Sequence, residues 1–137
     1  MALDKIHYDV RKALEKLGWK ITDDPLEVFS IDTYLKIDLG VERVIAAERN
    51  GNRIAIEIKS LAGASILYSF YEAFGQYVFY RDALQDEGYE WEIFLATSHH
   101  AYLRLTLNKF LMKRIAQYGI KLLIVDIDDQ IIVEWKK

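Results

Sequence analysis

The chain has 137 residues, 52% of them hydrophobic and 28% charged, with one Pro, seven Gly and no Cys, a composition expected of one globular domain covering residues 1–137 rather than of a linker-rich or fibrous chain. Lacking cysteine, it has no disulfide, thiolate zinc site, iron–sulfur cluster or cysteine nucleophile, and lacking an apolar run long enough to span a bilayer it is expected to be cytoplasmic. Eighteen Lys and Arg against 21 Asp and Glu leave a formal charge of -3, so a nucleic-acid role has to rest on a local patch or on metal ions.

In chain order, Asp4 to Leu17 is predicted as a helix. Ile6, Val10, Ala13, Leu14 and Leu17 share one stripe, Gly18 is the stop, and His7, Arg11, Lys12 and Glu15 lie on the polar side. A short strand, Trp19 to Thr22, precedes a turn at Asp23-Asp24-Pro25. In Tyr34 to Leu39 the alternation of Leu35, Ile37 and Leu39 sets Asp38 on the non-core face, just before Gly40 lets the chain bend.

The strongest local signal follows. Two runs of strand formers, Val41 to Glu48 and Arg53 to Lys59, flank Asn50-Gly51, a dipeptide that readily takes the positive φ angles of a tight hairpin. In the second run Ile54, Ile56 and Ile58 fall on one face and Ala55, Glu57 and Lys59 on the other. A carboxylate and an ammonium therefore stand side by side, and Asp38 is expected to converge on them.

Ser65 is the expected N-cap of a long helix to about Glu87, closed by Gly88. It should bury Ile66, Phe70, Phe74, Tyr77 and Leu84, with Glu72, Gln76 and Tyr80 forming a polar stripe. Gly75 costs roughly 1 kcal/mol of helix propensity against Ala, which implies another backbone passing close by. A strand from Tyr89 to Ala96 is followed by a helix from Tyr102 to Tyr118, with Leu103, Leu107, Phe110, Leu111 and Ile115 inward. A buried strand, Ile120 to Asp126, pairs with a last one, Gln130 to Trp135. The pattern is that of an α/β domain, a mixed sheet flanked by helices.

Hydrolysis of a phosphodiester needs an activated water and neutralisation of charge on the phosphorus oxygens, which Mg2+ or Mn2+ held by carboxylates supplies. Asp38 and Glu57 suit that role, and Lys59 can orient the water without competing for the metal. Ten Glu and eleven Lys in 137 residues make about 0.8 Glu-x-Lys expected by chance. A second copy indeed stands at Glu134-Trp135-Lys136, so the tripeptide alone is equally well an exposed ion pair. What distinguishes the first copy is its setting, with Asp38 before the hairpin and a long helix after it.

Other candidates have plainer readings. His99-His100 is expected in a surface turn, its rings pointing apart, and His7 either faces the site from the first helix or sits partly packed. Arg104, Asn108, Lys109, Lys113 and Arg114 form either a phosphate-contacting face or the wet side of a helix. No GxxxxGK, GxGxxG or GxSxG occurs, which removes support for nucleotide-fuelled and serine-hydrolase chemistry.

Asp38, the hairpin to Glu57-Ile58-Lys59 and a helix carrying Gln76-x-x-x-Tyr80 resemble the PD-(D/E)xK nuclease superfamily. Within it, Gly18-Trp19-Lys20-Ile21-Thr22 with Asp24-Pro25-Leu26, Ile37-Asp38-Leu39-Gly40, Ala46-Ala47-Glu48, Ile54 to Ser60, Gly75-Gln76 and Ile120-Lys121-Leu122-Leu123 resemble the XisH family, the fdxN-element excision controlling factors of cyanobacteria. The resemblance implies a restriction-endonuclease-like core and a role connected with programmed excision of a DNA element. It implies Asp38 and Glu57 as Mg2+ ligands, the Ile58 carbonyl as another, Lys59 serving the water, and Gln76 and Tyr80 beside the site. Glu15 falls where superfamily members bring an acid from the first helix, while Ile37 replaces the proline that often precedes the first aspartate. Partners so implied are DNA and a XisI-type companion, with a homodimer as a further expectation and no membrane. Two functions follow: a Mg2+-dependent endonuclease-like protein acting on DNA phosphodiesters, or a non-cleaving regulatory module that binds the companion or DNA. A third reading is a structural domain in which Glu57 and Lys59 merely pair.

Overall fold

The computed structural model describes residues 2–35 and 44–137. Its sheet grows outward from the hairpin. Asn50 and Gly51 take φ values of 53° and 81°, the two left-handed conformations of a turn whose twist matches that of its strands. Counting β1 (Lys20–Asp23), β2 (Val28–Ser30) and β3 (Thr33–Leu35) before it, the hairpin consists of β4 (Val44–Arg49) and β5 (Asn52–Ile58), paired from Arg49 opposite Asn52 to Val44 opposite Glu57. β1 adds antiparallel to the outer side of β4. β6 (Glu92–Ser98) and β7 (Leu122–Asp126) continue parallel to β5, and β8 (Ile131–Lys136) closes antiparallel. The six-stranded mixed sheet has the order β1-β4-β5-β6-β7-β8, with β2 and β3 as a separate pair.

Parallel neighbours need crossovers, and helices supply them. Between β5 and β6 runs α2 (Ile66–Asp86), and between β6 and β7 run α3 (His99–Thr106) and α4 (Lys109–Gln117). One face of the sheet is covered by α1 (Ala2–Lys16): Ile6, Val10, Ala13 and Leu14 pack against Ile54, Ile56 and Ile58. The other face is covered by α2, α3 and α4, whose Phe70, Tyr77, Leu105 and Leu111 share a core with Ala55, Ile93 and Leu122. Both faces of β5 are thus core. No helix among the described residues is long and apolar enough to cross a membrane.

Caps formed where the sequence places them: Ser65 accepts from the Tyr68 amide, and Gly18 and Gly88 follow their helices at φ 86° and 78°. Other expectations are corrected. The helix foreseen over 102–118 is two helices, because the Asn108 side chain accepts from the Leu111 amide and starts a new one. The break shifts the phase, so Ala101, Leu105, Leu111 and Ile115 are buried while Leu103, Leu107 and Phe110 are exposed. Leu17 lies past the end of α1 and is exposed, and Tyr80, placed on the polar stripe, is buried in the core. β6 starts at Glu92 rather than Tyr89, and β2 had no strand signal strong enough to stand out. Of the strand read over 34–39 the described part pairs with β2, and residues 36–43, Asp38 among them, lie outside the described residues.

Gly75 also differs from expectation. A Cβ built there meets no atom of the described residues within 4 Å, so no crowding among the described residues demands glycine. Gly75→Ala is expected to stabilise the monomer by about 0.5–1 kcal/mol through helix propensity, read as a higher urea midpoint at low protein concentration with an unchanged slope; a lower midpoint would show that the space is needed.

Candidate active site

The site is the C-terminal end of β5, where period-two alternation meets burial on both faces. Glu57 and Lys59 share the face of Ala55, turned toward α2, and are 0% and 3% exposed. Ile58 between them packs on the α1 side, and the Lys59 amide continues the sheet by donating to the Ala96 carbonyl at 3.0 Å. The second Glu-x-Lys has the opposite fate. On the edge strand β8, Glu134 and Lys136 pair at 3.2 Å with side chains 50% and 36% exposed. The exposed ion pair weighed for the motif therefore describes the second copy and not the first.

Opposite β5, the first turns of α2 present Ser69, Glu72 and Gln76 on one flank, three to four residues apart. Ser69 and Glu72 join Lys59 and the loop 60–63 in lining a cavity of about 130 Å³. One turn on, the Gln76 Oε1 atom is buried with no hydrogen-bond partner among the described residues. Next to it Tyr77 ties the layers together, its hydroxyl donating to the Ile93 carbonyl (2.9 Å) and accepting from the Lys121 amide (3.1 Å). Burial holds the Tyr77 phenol above its ordinary value, and the negative charges of Glu57 and Glu92 add to that, against the Lys121 amide and Arg81.

The loop after β5 is braced. Leu61, 3% exposed, takes φ 51°, a left-handed conformation that costs a residue with a Cβ roughly 1–2 kcal/mol. Arg104 of α3 holds it there, donating to the carbonyls of Leu61 (3.1 Å) and Gly63 (2.9 Å). Arg104 is thus committed to the site's frame. Asn108 is a cap, and Arg114 lies over the Phe110 ring and donates to Gln117. Of the five residues of the expected phosphate face, Lys109 and Lys113 keep exposed side chains without such a structural part.

Glu15 is not brought to Glu57. It is exposed on the last turn of α1, 4.0 Å from Lys12. The Trp19 amide bonds to Leu14 and β1 then starts at Lys20, opposite Glu48 beside the hairpin turn, so Glu15 lies at the far end of the sheet and α1 on its other face. What α1 brings toward the Glu57 end is His7 and Arg11, whose Nε2 and guanidinium reach Asp24 Oδ2 at 2.8 and 2.6 Å. Of the solvated or partly packed positions expected for His7, it takes the partly packed one. His99 and His100 are exposed and open α3 rather than a turn. Among the described residues no three His, Asp or Glu side chains gather as a ready metal site, and Asp38 lies outside those residues. A larger concavity of about 950 Å³, lined by Trp19, Arg53, Trp91 and Trp135, opens at the hairpin end. Its size does not locate the chemistry, since the buried carboxylate and ammonium are at the opposite end.

With this geometry in view, the comparisons decide the family. Residues 1–133 match the family described as XisH protein. The chain belongs to the XisH family. Two crystal structures are similar over nearly its whole length. One is an XisH family protein from Nostoc punctiforme PCC 73102, 36% identical, covering 98% of this chain and 100% of that one with a TM-score of 0.89. The other is an fdxN element excision controlling factor protein from Anabaena variabilis, 33% identical, covering 98% and 99% with a TM-score of 0.89. Among curated proteins none matches.

For this XisH family protein, removing the brace has a defined consequence. Arg104→Ala is expected to lower stability by about 1.5–3 kcal/mol, the range for hydrogen bonds to a charged group, and to raise amide exchange selectively over residues 60–64. Unaltered exchange in that loop would show that Arg104 does not hold it.

Proposed function

We propose that this protein is a Mg2+- or Mn2+-dependent endonuclease-like protein acting on DNA phosphodiesters, in connection with control of programmed DNA-element excision. The observation that carries the reading is the joint burial of Glu57 and Lys59 at the end of β5. Burying a carboxylate and an ammonium costs several kcal/mol of solvation each, and buried charges gathered beside a cleft are enriched at functional sites. Further support comes from the layout, a helix, the antiparallel strands β1, β4 and β5, then α2 and a parallel β6, an arrangement compatible with the restriction-endonuclease-like core that the reading calls for. The Anabaena relative's description as an excision controlling factor supplies the biological setting.

The residues fit a hard divalent cation. Glu57 offers buried carboxylate oxygens, Ile58 a backbone carbonyl, and Gln76 an oxygen that bonds nothing else among the described residues. Asp38 would supply the second carboxylate: it precedes by six residues the point where the chain enters β4 at Val44, opposite Glu57. When bound, the ion supplies charge neutralisation at the phosphoryl oxygens and a water of lowered pKa. Lys59 has three donors and no acceptor, so it serves the reaction as a fixed cation beside the attacked phosphorus, holding a water or a non-bridging oxygen. The rigid strand holds both groups in place, which limits reorganisation during the reaction.

A second reading has one specific support, the word controlling in the relative's description: the same core binds DNA or a XisI-type companion without cutting. Incubating the protein with supercoiled and branched DNA, with Mg2+, Mn2+ or EDTA, separates the two. Metal-dependent cutting that falls on the order of 100-fold or more in Lys59→Ala, and is lost in Asp38→Asn, is expected. Intact DNA under every condition, with the companion present, would leave the regulatory reading standing instead.

A further inference from the structure

Helix α2 is apolar on two sides, and only one of them faces the core. Tyr68, Tyr71 and Phe79 are 72%, 55% and 68% exposed. At 100° per residue Tyr68, Tyr71, Gly75, Phe79 and Asp82 all fall within about 40° of one line along the helix, opposite the buried Phe70, Ala73, Tyr77 and Leu84. Gly75 sits at the centre of this stripe and nothing among the described residues approaches its Cα side. A glycine that costs helix propensity and relieves no crowding among the described residues leaves a notch in the outer surface instead.

The pattern about that notch is self-complementary. Tyr71 and Phe79 stand four residues on either side of Gly75, and Tyr68 and Asp82 stand seven on either side. In an antiparallel crossing of two copies of α2 on a twofold axis through Gly75, residues equidistant from the centre meet. Tyr71 then faces Phe79 twice, an aromatic pair at each end of the notch. Tyr68 faces Asp82 twice, a phenol donor against a carboxylate that is 56% exposed and 3.7 Å from Arg81. The close approach at the centre is one that a side chain at position 75 would widen.

We propose that the exposed face of α2 is a homodimer interface, occupied by a second copy of this chain crossing antiparallel at Gly75. Two α2 stripes alone make a small contact. The association therefore belongs to the weak end of the interface range, with dissociation in the micromolar region. The dyad leaves the Glu72 and Gln76 flanks of both copies on one side, but the proposal stands on the stripe and not on chemistry at Glu57.

The chain has no cysteine, so single cysteines report the register directly. Gly75→Cys, mildly oxidised at several hundred micromolar protein, is expected to form a disulfide-linked dimer, because position 75 meets its own mate. Phe79→Cys alone should not, its mates lying about 12 Å apart along the axis at 1.5 Å per residue, whereas mixing Phe79→Cys with Tyr71→Cys should give the mixed dimer. Sedimentation should show concentration-dependent doubling of mass in the wild type, at least a tenfold weaker association in Phe79→Asp, and weaker association in Gly75→Ala despite its gain in monomer stability. A chain that stays monomeric throughout, or disulfides at 79–79 in preference to 75–75, would overturn the proposal; circular dichroism of each variant confirms that the fold is kept.

Discussion

The constraint on which the rest of the molecule depends is that β5 is buried on both faces. A strand alternates, so one face of β5 delivers Ile54, Ile56 and Ile58 to α1 while the other delivers Ala55, Glu57 and Lys59 to the layer under α2. The isoleucines fix the register, since a slip by one residue would exchange the apolar set for the charged one. Every kilocalorie of packing on the α1 side therefore holds Glu57 and Lys59 where water is scarce. An electrostatic arrangement that would relax at a surface is maintained by hydrophobic burial on the far side of the same strand.

The surroundings follow from that placement. Three strand ends, those of β5, β6 and β7, point the same way, and in open α/β sheets the crevice outside such ends is where ligands bind. There α2 begins, contributing Ser69, Glu72 and Gln76, and α3 begins with Ser98 as its cap, so that Arg104, under two turns later, reaches back to the carbonyls of Leu61 and Gly63. The left-handed Leu61 is stable because that guanidinium and a buried side chain determine it from two directions. Membership of the XisH family places this frame beside crystal structures of the same length and topology. The chemistry is argued from the site itself, because a fold alone carries no function.

Local devices were the legible part of the sequence. Asn50-Gly51, the Ser65 cap and the stops at Gly18 and Gly88 act through one or two residues and a few backbone bonds, and all formed as read. The Glu-x-Lys of β5 was visible for its type but not for its depth, since an identical tripeptide on β8 is solvated and only the tertiary neighbours of each strand decide. Asn108 was read as part of a charged face when its real part is a cap, and missing that break carried Leu107 and Phe110 to the wrong side. Glu15 enters as a site residue only through the superfamily resemblance. Which end of a helix meets which end of the sheet is set by the turn at Gly18 and the register of β1, a long-range fact with no local signal. Tyr80 went astray for a simpler reason, as a phenol reads polar by type and yet buries most of its area.

The central claim is that Glu57 lies in a site for a divalent cation. Calorimetric titration of the purified protein with Mn2+ tests it most directly, before any DNA substrate is known. One ion per chain is expected for the wild type, with binding weakened at least tenfold in the near-isosteric Glu57→Gln while the unfolding midpoint stays within reach of the wild type. Equal Mn2+ affinity in the two proteins, or no binding by either at millimolar ion, would contradict the account.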